Sequence, residues 1–169
     1  MGKDQLSQTN MLIKSIIDED FINYKKASMY IAFPHCSFKC EKECGIKCCQ
    51  NSPLALAKNI DVSFESLVKR YLENPITHAI VLAGLEPLDS FDDVLELIKL
   101  FREKTDDDIV IYTGYNENEI LKYVYILSDY KNIIIKYGRY KPNDKPRFDE
   151  VLGVTLASSN QYAKNISNL

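Results

Sequence analysis

Four short runs along the chain are almost continuously apolar, and the stretches between them carry apolar residues at helical spacing. Residues 29–33 (MYIAF), 78–83 (HAIVLA), 109–113 (IVIYT) and 132–137 (NIIIKY) are rich in β-branched and apolar residues. Runs of this length without alternation mark strands buried on both faces of a parallel sheet. Pro34 ends the first run. In SFESLVKRYLEN, beginning at Ser63, the residues Leu67, Val68, Tyr71 and Leu72 share one helical face, and the pattern stops before Pro75. Ser90 with Asp93 has capping-box spacing ahead of FDDVLELIKLFREK, whose Phe91, Val94, Leu95, Ile98 and Phe101 form an apolar stripe. Asn116 with Glu119 repeats that arrangement before ILKYVYIL. These stripes are expected to face a core.

Strands alternating with helices predict βαβ units and an α/β fold with a mostly parallel sheet. Residues 138–150 (GRYKPNDKPRFDE) contain two prolines and no period, which predicts a loop. Its Arg139, Lys141, Lys145 and Arg147 read as solvated charges, the sharper alternative being a docking surface or an anion contact. No repeat, low-complexity tract or linker interrupts the pattern. At 169 residues the chain has about one domain's length, so 1–169 is expected to be a single domain.

Composition narrows the function classes. Hydrophobic residues at 46% and charged residues at 27% are those of a folding chain and not of a disordered one. Twenty-one Lys and Arg against 24 Asp and Glu give a net charge of −3, so no basic field recruits nucleic acid. The opening MGKDQLSQTNMLIKSIIDED is too polar for a secretory signal, and no apolar run approaches the roughly 18 residues of a spanning helix. A cytoplasmic address without membrane contact is therefore expected.

All five cysteines fall at positions 36, 40, 44, 48 and 49, inside FPHCSFKCEKECGIKCCQN directly after the first expected strand. Thiolates this close along a chain are natural ligands of zinc or of an iron–sulfur cluster. Their odd number and a reducing compartment argue against a disulfide framework. Paired C-x2-C knuckles typical of structural zinc are absent, which favours iron–sulfur. In open parallel sheets, ligands bind beyond the carboxyl ends of the strands, where these cysteines lie.

Cys36-Ser37-Phe38-Lys39-Cys40 resembles the first half of the C-x3-C-x2-C hallmark of the radical S-adenosylmethionine superfamily. Position 43 is Glu43, not cysteine; aligning the superfamily's C-x-N ending on Cys49-Gln50-Asn51 gives C-x3-C-x8-C, with Cys44 and Cys48 as the other candidates for third ligand. Gly84-Leu85-Glu86-Pro87 after the second strand is similar to the superfamily's GGEP segment, with Leu85 in place of the second glycine. Tyr112-Thr113-Gly114-Tyr115, Gly138-Arg139-Tyr140 and Ala157-Ser158-Ser159-Asn160-Gln161 resemble, in order, segments of the activating proteins of anaerobic ribonucleoside-triphosphate reductase.

The resemblance implies an abbreviated, open partial (β/α) barrel. It implies a [4Fe–4S] cluster on Cys36, Cys40 and Cys49, with S-adenosylmethionine chelating the fourth iron and cleaved reductively. Gly84 and Glu86 would help seat the methionyl group, and Thr113 either contacts the cofactor or simply ends its strand. The implied activity is generation of a glycyl radical on a large partner, the reductase, with a flavodoxin- or ferredoxin-type electron donor. Other readings are a superfamily member with another substrate and a non-catalytic zinc or iron–sulfur module. His35 and His78 read as structural, and Ser158, Asn160 and Gln161 either cap a terminal strand or approach the adenine side of the cofactor.

Overall fold

The four apolar runs lie side by side as the centre of one sheet. In the computed structural model, which describes residues 9–167, the chain starts with β1 (Asn10–Ile13), β2 (Ser15–Asp20) and β3 (Ser28–Phe33). Two short helices follow, α1 (Lys39–Cys44) and α2 (Ser52–Leu56), then β4 (Ile60–Ser63), α3 (Phe64–Glu73) and β5 (Ala79–Gly84). The second half runs through α4 (Phe91–Arg102), β6 (Asp108–Tyr112), α5 (Leu121–Leu127) and β7 (Ile133–Tyr137) to the short strands β8 (Arg147–Asp149), β9 (Val154–Leu156) and β10 (Tyr162–Asn165).

Six strands form one sheet in the order β10-β7-β6-β5-β3-β2. The pairs β3–β5, β5–β6 and β6–β7 are parallel, while β2 and β10 add antiparallel edges. The fold is thus mixed α/β with a mostly parallel centre, and its described strands do not close into a barrel. Helices α3, α4 and α5 each lie between consecutive parallel strands in the chain, as a parallel connection requires.

Two apolar layers sandwich the sheet. On one side Phe33, Leu82 and Ile111 pack with Leu67, Ile98 and Phe101 from the helices. Tyr71 meets Phe101 edge-to-face at a centroid separation of 5.4 Å. On the other side Val81, Val110 and Ile134 pack against Leu152 and Leu156, so the β8–β9 hairpin covers the face that the helices leave bare.

Each expected strand is present, its bounds shifted by one residue. The differences lie elsewhere. The six strands β1, β2, β4, β8, β9 and β10 carry no continuous apolar run; pairing, not burial on both faces, holds them, and β8 interrupts the segment expected to be loop. Leu72 is 48% exposed, because Phe64, Leu67, Val68 and Tyr71 define the buried face of α3 and Leu72 lies roughly a quarter turn away from its centre. Ser63 caps α3 by accepting the Ser66 N–H at 3.1 Å. Ser90 caps nothing with its side chain, because a 3₁₀ turn over Pro87–Ser90 runs straight into α4 and is itself capped by Glu86. Glu119 does close the expected capping box, accepting the Asn116 N–H at 2.8 Å. Among the described residues no helix is long and apolar enough to cross a membrane.

Candidate functional site

The cysteine segment leaves the carboxyl end of β3 and is pinned back to the sheet at intervals. Asp89 accepts the Ser37 N–H at 3.0 Å. Phe38 stands in the left-handed region at φ 53° and donates its N–H to Cys36 Sγ at 3.2 Å, turning the chain into α1 so that Cys36 and Cys40 flank the turn. Glu43 meets the Arg139 guanidinium at 3.1 Å. Asn51 donates its amide to the Gly84 carbonyl at 2.7 Å, tying the C-x-N end of the segment to the end of β5. Lys14 donates to the carbonyls of Ala55 and Ala57 and fixes the end of α2.

These anchors put Cys36, Cys40 and Cys49 on the wall of one cavity of about 310 Å³ over the carboxyl ends of the parallel strands. Gly84, Glu86 and Thr113 line the same cavity. Cys44 and Cys48 do not line it. Its far wall is formed by Tyr30, Tyr112 and the β9 residues Val154 and Leu156, an apolar and aromatic surface facing a polar one. Among the described residues, no three Cys, His, Asp or Glu side chains converge tightly enough to enclose a single metal ion.

Glycine is required at one place here, Gly84, and borders the thiols at another, Gly114. Gly84 has φ +88°, and a Cβ on it would come within 2.7 Å of the Ala32 Cα. A Cβ on Gly114 would project into the site, 3.6 Å from Glu86 Oε2 and 3.8 Å from Cys40 Sγ. The bare backbone at Gly114 leaves room beside the sulfur.

Glu86 is only 5% exposed. Its carboxylate accepts the Thr113 hydroxyl at 2.9 Å, the Gly114 N–H at 2.8 Å and the Leu88 N–H at 3.1 Å, joining the end of β5 to the end of β6. Burial pushes its pKa up to about 7, against the pull of those three donors. Thr113 is engaged on both sides, donating to Glu86 and accepting the Tyr115 N–H at 3.0 Å.

Lys136, which the sequence patterning passed over as one polar residue in a buried strand, lies on the cavity floor. Its ammonium donates to the Gly138 carbonyl at 3.0 Å and the Thr113 carbonyl at 3.4 Å. Burial pulls its pKa down to about 8, and Glu86 and Cys40 resist that shift. A charge inside an otherwise apolar run is the signal that could have found it, since a lysine is almost never fully buried without a partner or a task. Around the thiols the balance is different: burial pushes Cys36 up to about 11, and the Glu86 and Asp89 carboxylates add to the rise.

Arg139 corrects the reading of residues 138–150 as solvated charge. It is 4% exposed and forms a two-pronged pair with Glu119 at 2.6 and 2.8 Å. Tertiary pairing overrides the loop composition here, while Lys141, Lys145 and Arg147 are exposed as expected. Ser158 and Asn160 serve the terminal segment: Ser158 Oγ accepts the Lys141 N–H at 3.2 Å, and Asn160 donates to the Arg139 carbonyl at 2.8 Å. Gln161 both donates to the Gly138 carbonyl at 3.3 Å and lines the cavity. His35 and His78 are exposed, and neither lines the cavity.

The donor set suits an iron–sulfur cluster. Three half-buried thiols border one cavity, a backbone N–H already points at Cys36 Sγ, Gly114 leaves space beside Cys40, and the buried cation Lys136 offsets thiolate charge. Metal binding would replace the protons that burial favours on Cys36 and Cys40. The fold and site together define an α/β protein with a thiol-lined cavity at the carboxyl edge of a parallel sheet. Residues 25–162, most of the chain, match the family described as 4Fe-4S single cluster domain. The chain belongs to that family, which supports a [4Fe–4S] cluster as its cofactor. No curated protein and no solved structure matches it.

Proposed function

We propose that this chain is a radical S-adenosylmethionine activase that raises a glycyl radical on an anaerobic ribonucleoside-triphosphate reductase. The observation that carries the reading is the convergence of Cys36, Cys40, Cys49, Gly84, Glu86 and Thr113 on one cavity, although they come from three separate strand ends. On this reading the open sheet is an abbreviated (β/α) barrel, and its lack of closure leaves a route for a glycine-bearing loop of a large partner.

A [4Fe–4S] cluster bound there would supply the reductive chemistry, an iron for the amino and carboxylate groups of S-adenosylmethionine and the electron for cleaving its sulfonium, with a flavodoxin- or ferredoxin-type donor as the source. The chain's own residues bind and orient. Cys36, Cys40 and Cys49 hold the cluster. Glu86 keeps the end of β5 beside Thr113 and Gly114, and Gly84 with Glu86 would help seat the methionyl group. Lys136 supplies positive charge under the thiolates. Tyr30, Tyr112, Val154 and Leu156 give an apolar wall suited to a nucleoside.

Anaerobic reconstitution tests the reading: about four irons and four sulfides per chain are expected. The electron paramagnetic resonance spectrum should change on adding S-adenosylmethionine, and reduction should release 5′-deoxyadenosine. A fully loaded cluster that releases none overturns it. The longer spacing between Cys40 and Cys49 favours one second reading, a related enzyme acting on another substrate, because the added residues join two thiols that both line the cavity. Pull-down of a reductase separates the two.

A further inference from the structure

Two of the five thiols have no part in the cavity. Cys40 and Cys44 lie one turn apart on α1, and the helix ends at Gly45, whose φ of +72° reverses the chain. No atom lies within 4 Å of where a Gly45 Cβ would sit, so the turn is open to solvent. The reversal carries Cys48 back over the helix, its thiol donating to the Cys40 carbonyl at 3.6 Å, the carbonyl next along α1 to that of Glu41, which Cys44 reaches. Cys44 in turn reaches only backbone, the carbonyls of Ile46 at 3.3 Å and Glu41 at 3.8 Å. Both side chains are part-exposed.

We propose that Cys44 and Cys48 are a reversible dithiol–disulfide pair, a modification site for small disulfide oxidants, distinct from the three thiols facing the cavity. One of the two sulfurs attacks the S–S bond of the oxidant and releases one thiol; the second sulfur then displaces the other. Two S–H bonds are lost and one S–S bond forms, and the oxidant leaves as two thiols with both electrons and both protons. Only Gly45, Ile46 and Lys47 separate the pair, and the left-handed glycine permits so tight a closure. The assignment of the other three thiols to the cluster rests on the proposed function; the pairing itself rests on the turn.

The test uses the anaerobically loaded full chain, incubated with oxidised glutathione, after which free thiols are alkylated and the peptides weighed. Iron and sulfide are measured on the same sample, so failure to take up a cluster is seen separately from failure of the pair. The expected product is a disulfide between Cys44 and Cys48, reversed by dithiothreitol, without a lasting glutathione adduct. In Cys44→Ser, Cys48 should instead retain glutathione, because the thiol that displaces it is missing. Alkylation of both Cys44 and Cys48 after exposure, a lasting adduct in the unaltered chain, or a disulfide from either one to Cys36, Cys40 or Cys49 overturns the proposal.

Discussion

Replacing Gly84 by alanine puts the geometry of the site to a quantitative test. At φ +88° an L-residue meets a conformational cost of about 1–2 kcal/mol. The added Cβ would also press within 2.8 Å of the Ala32 Cβ and the Phe33 N, atoms of β3 that parallel pairing to β5 holds in place. Overpacking of this kind adds about 1–3 kcal/mol. The sum, about 2–5 kcal/mol, is a large part of a typical domain stability of about 5–15 kcal/mol. Urea denaturation should therefore show a much lower midpoint at unchanged slope. Because the Gly84 carbonyl anchors Asn51, iron and sulfide content should fall as well. Gly114→Ala is the control: its Cβ would make only ordinary contacts and Gly114 has no positive φ, so the midpoint should stay within about 1 kcal/mol of the parent while the group crowds Cys40 and lowers cluster content. A Gly84→Ala chain as stable as the parent would refute the reasoning.

In a cysteine series, Cys36→Ala, Cys40→Ala and Cys49→Ala should lose iron and sulfide, whereas Cys44→Ala and Cys48→Ala should retain most of both; a full cluster in Cys49→Ala would move the third ligand to another thiol. Lys136→Met removes a buried positive charge beside Cys40, so the potential of the loaded cluster, followed by spectroscopic redox titration, should move to more negative values. Lys136 also makes a pH prediction. Its folded pKa, about 8, lies below the ordinary lysine value, so the unfolded chain binds more protons between those values, and stability should rise with pH from about 8 to about 10; in Lys136→Met that rise should flatten. Glu119 behaves in the opposite sense. The Arg139 guanidinium holds its carboxyl below the usual range, so its contribution is present above that range and is lost as pH falls through the folded value. Denaturation of Glu119→Gln should show a deficit at neutral pH that shrinks below about pH 4.

The periodicity of the chain was enough to determine the central architecture. Continuous apolar runs can be buried only where both faces are covered, and helical stripes between them leave few arrangements besides a parallel sheet with helices packed on it. Local chemistry was equally readable where it acts over a few residues, as in the Ser63 cap, the Asn116–Glu119 box and the crowding of five thiols after one strand. Spacing alone, however, did not say which of those thiols share a wall. That choice comes from contacts made at long range, such as Asn51 on Gly84 and Arg139 on Glu43, which turn Cys49 toward the cavity and leave Cys44 and Cys48 outside it. Lys136 was passed over inside an apolar run, and Arg139 was read as a solvated charge. A charge's partners are not written in the local pattern, and only tertiary burial beside Thr113, Gly138 and Glu119 makes one the floor of the site and the other its clasp.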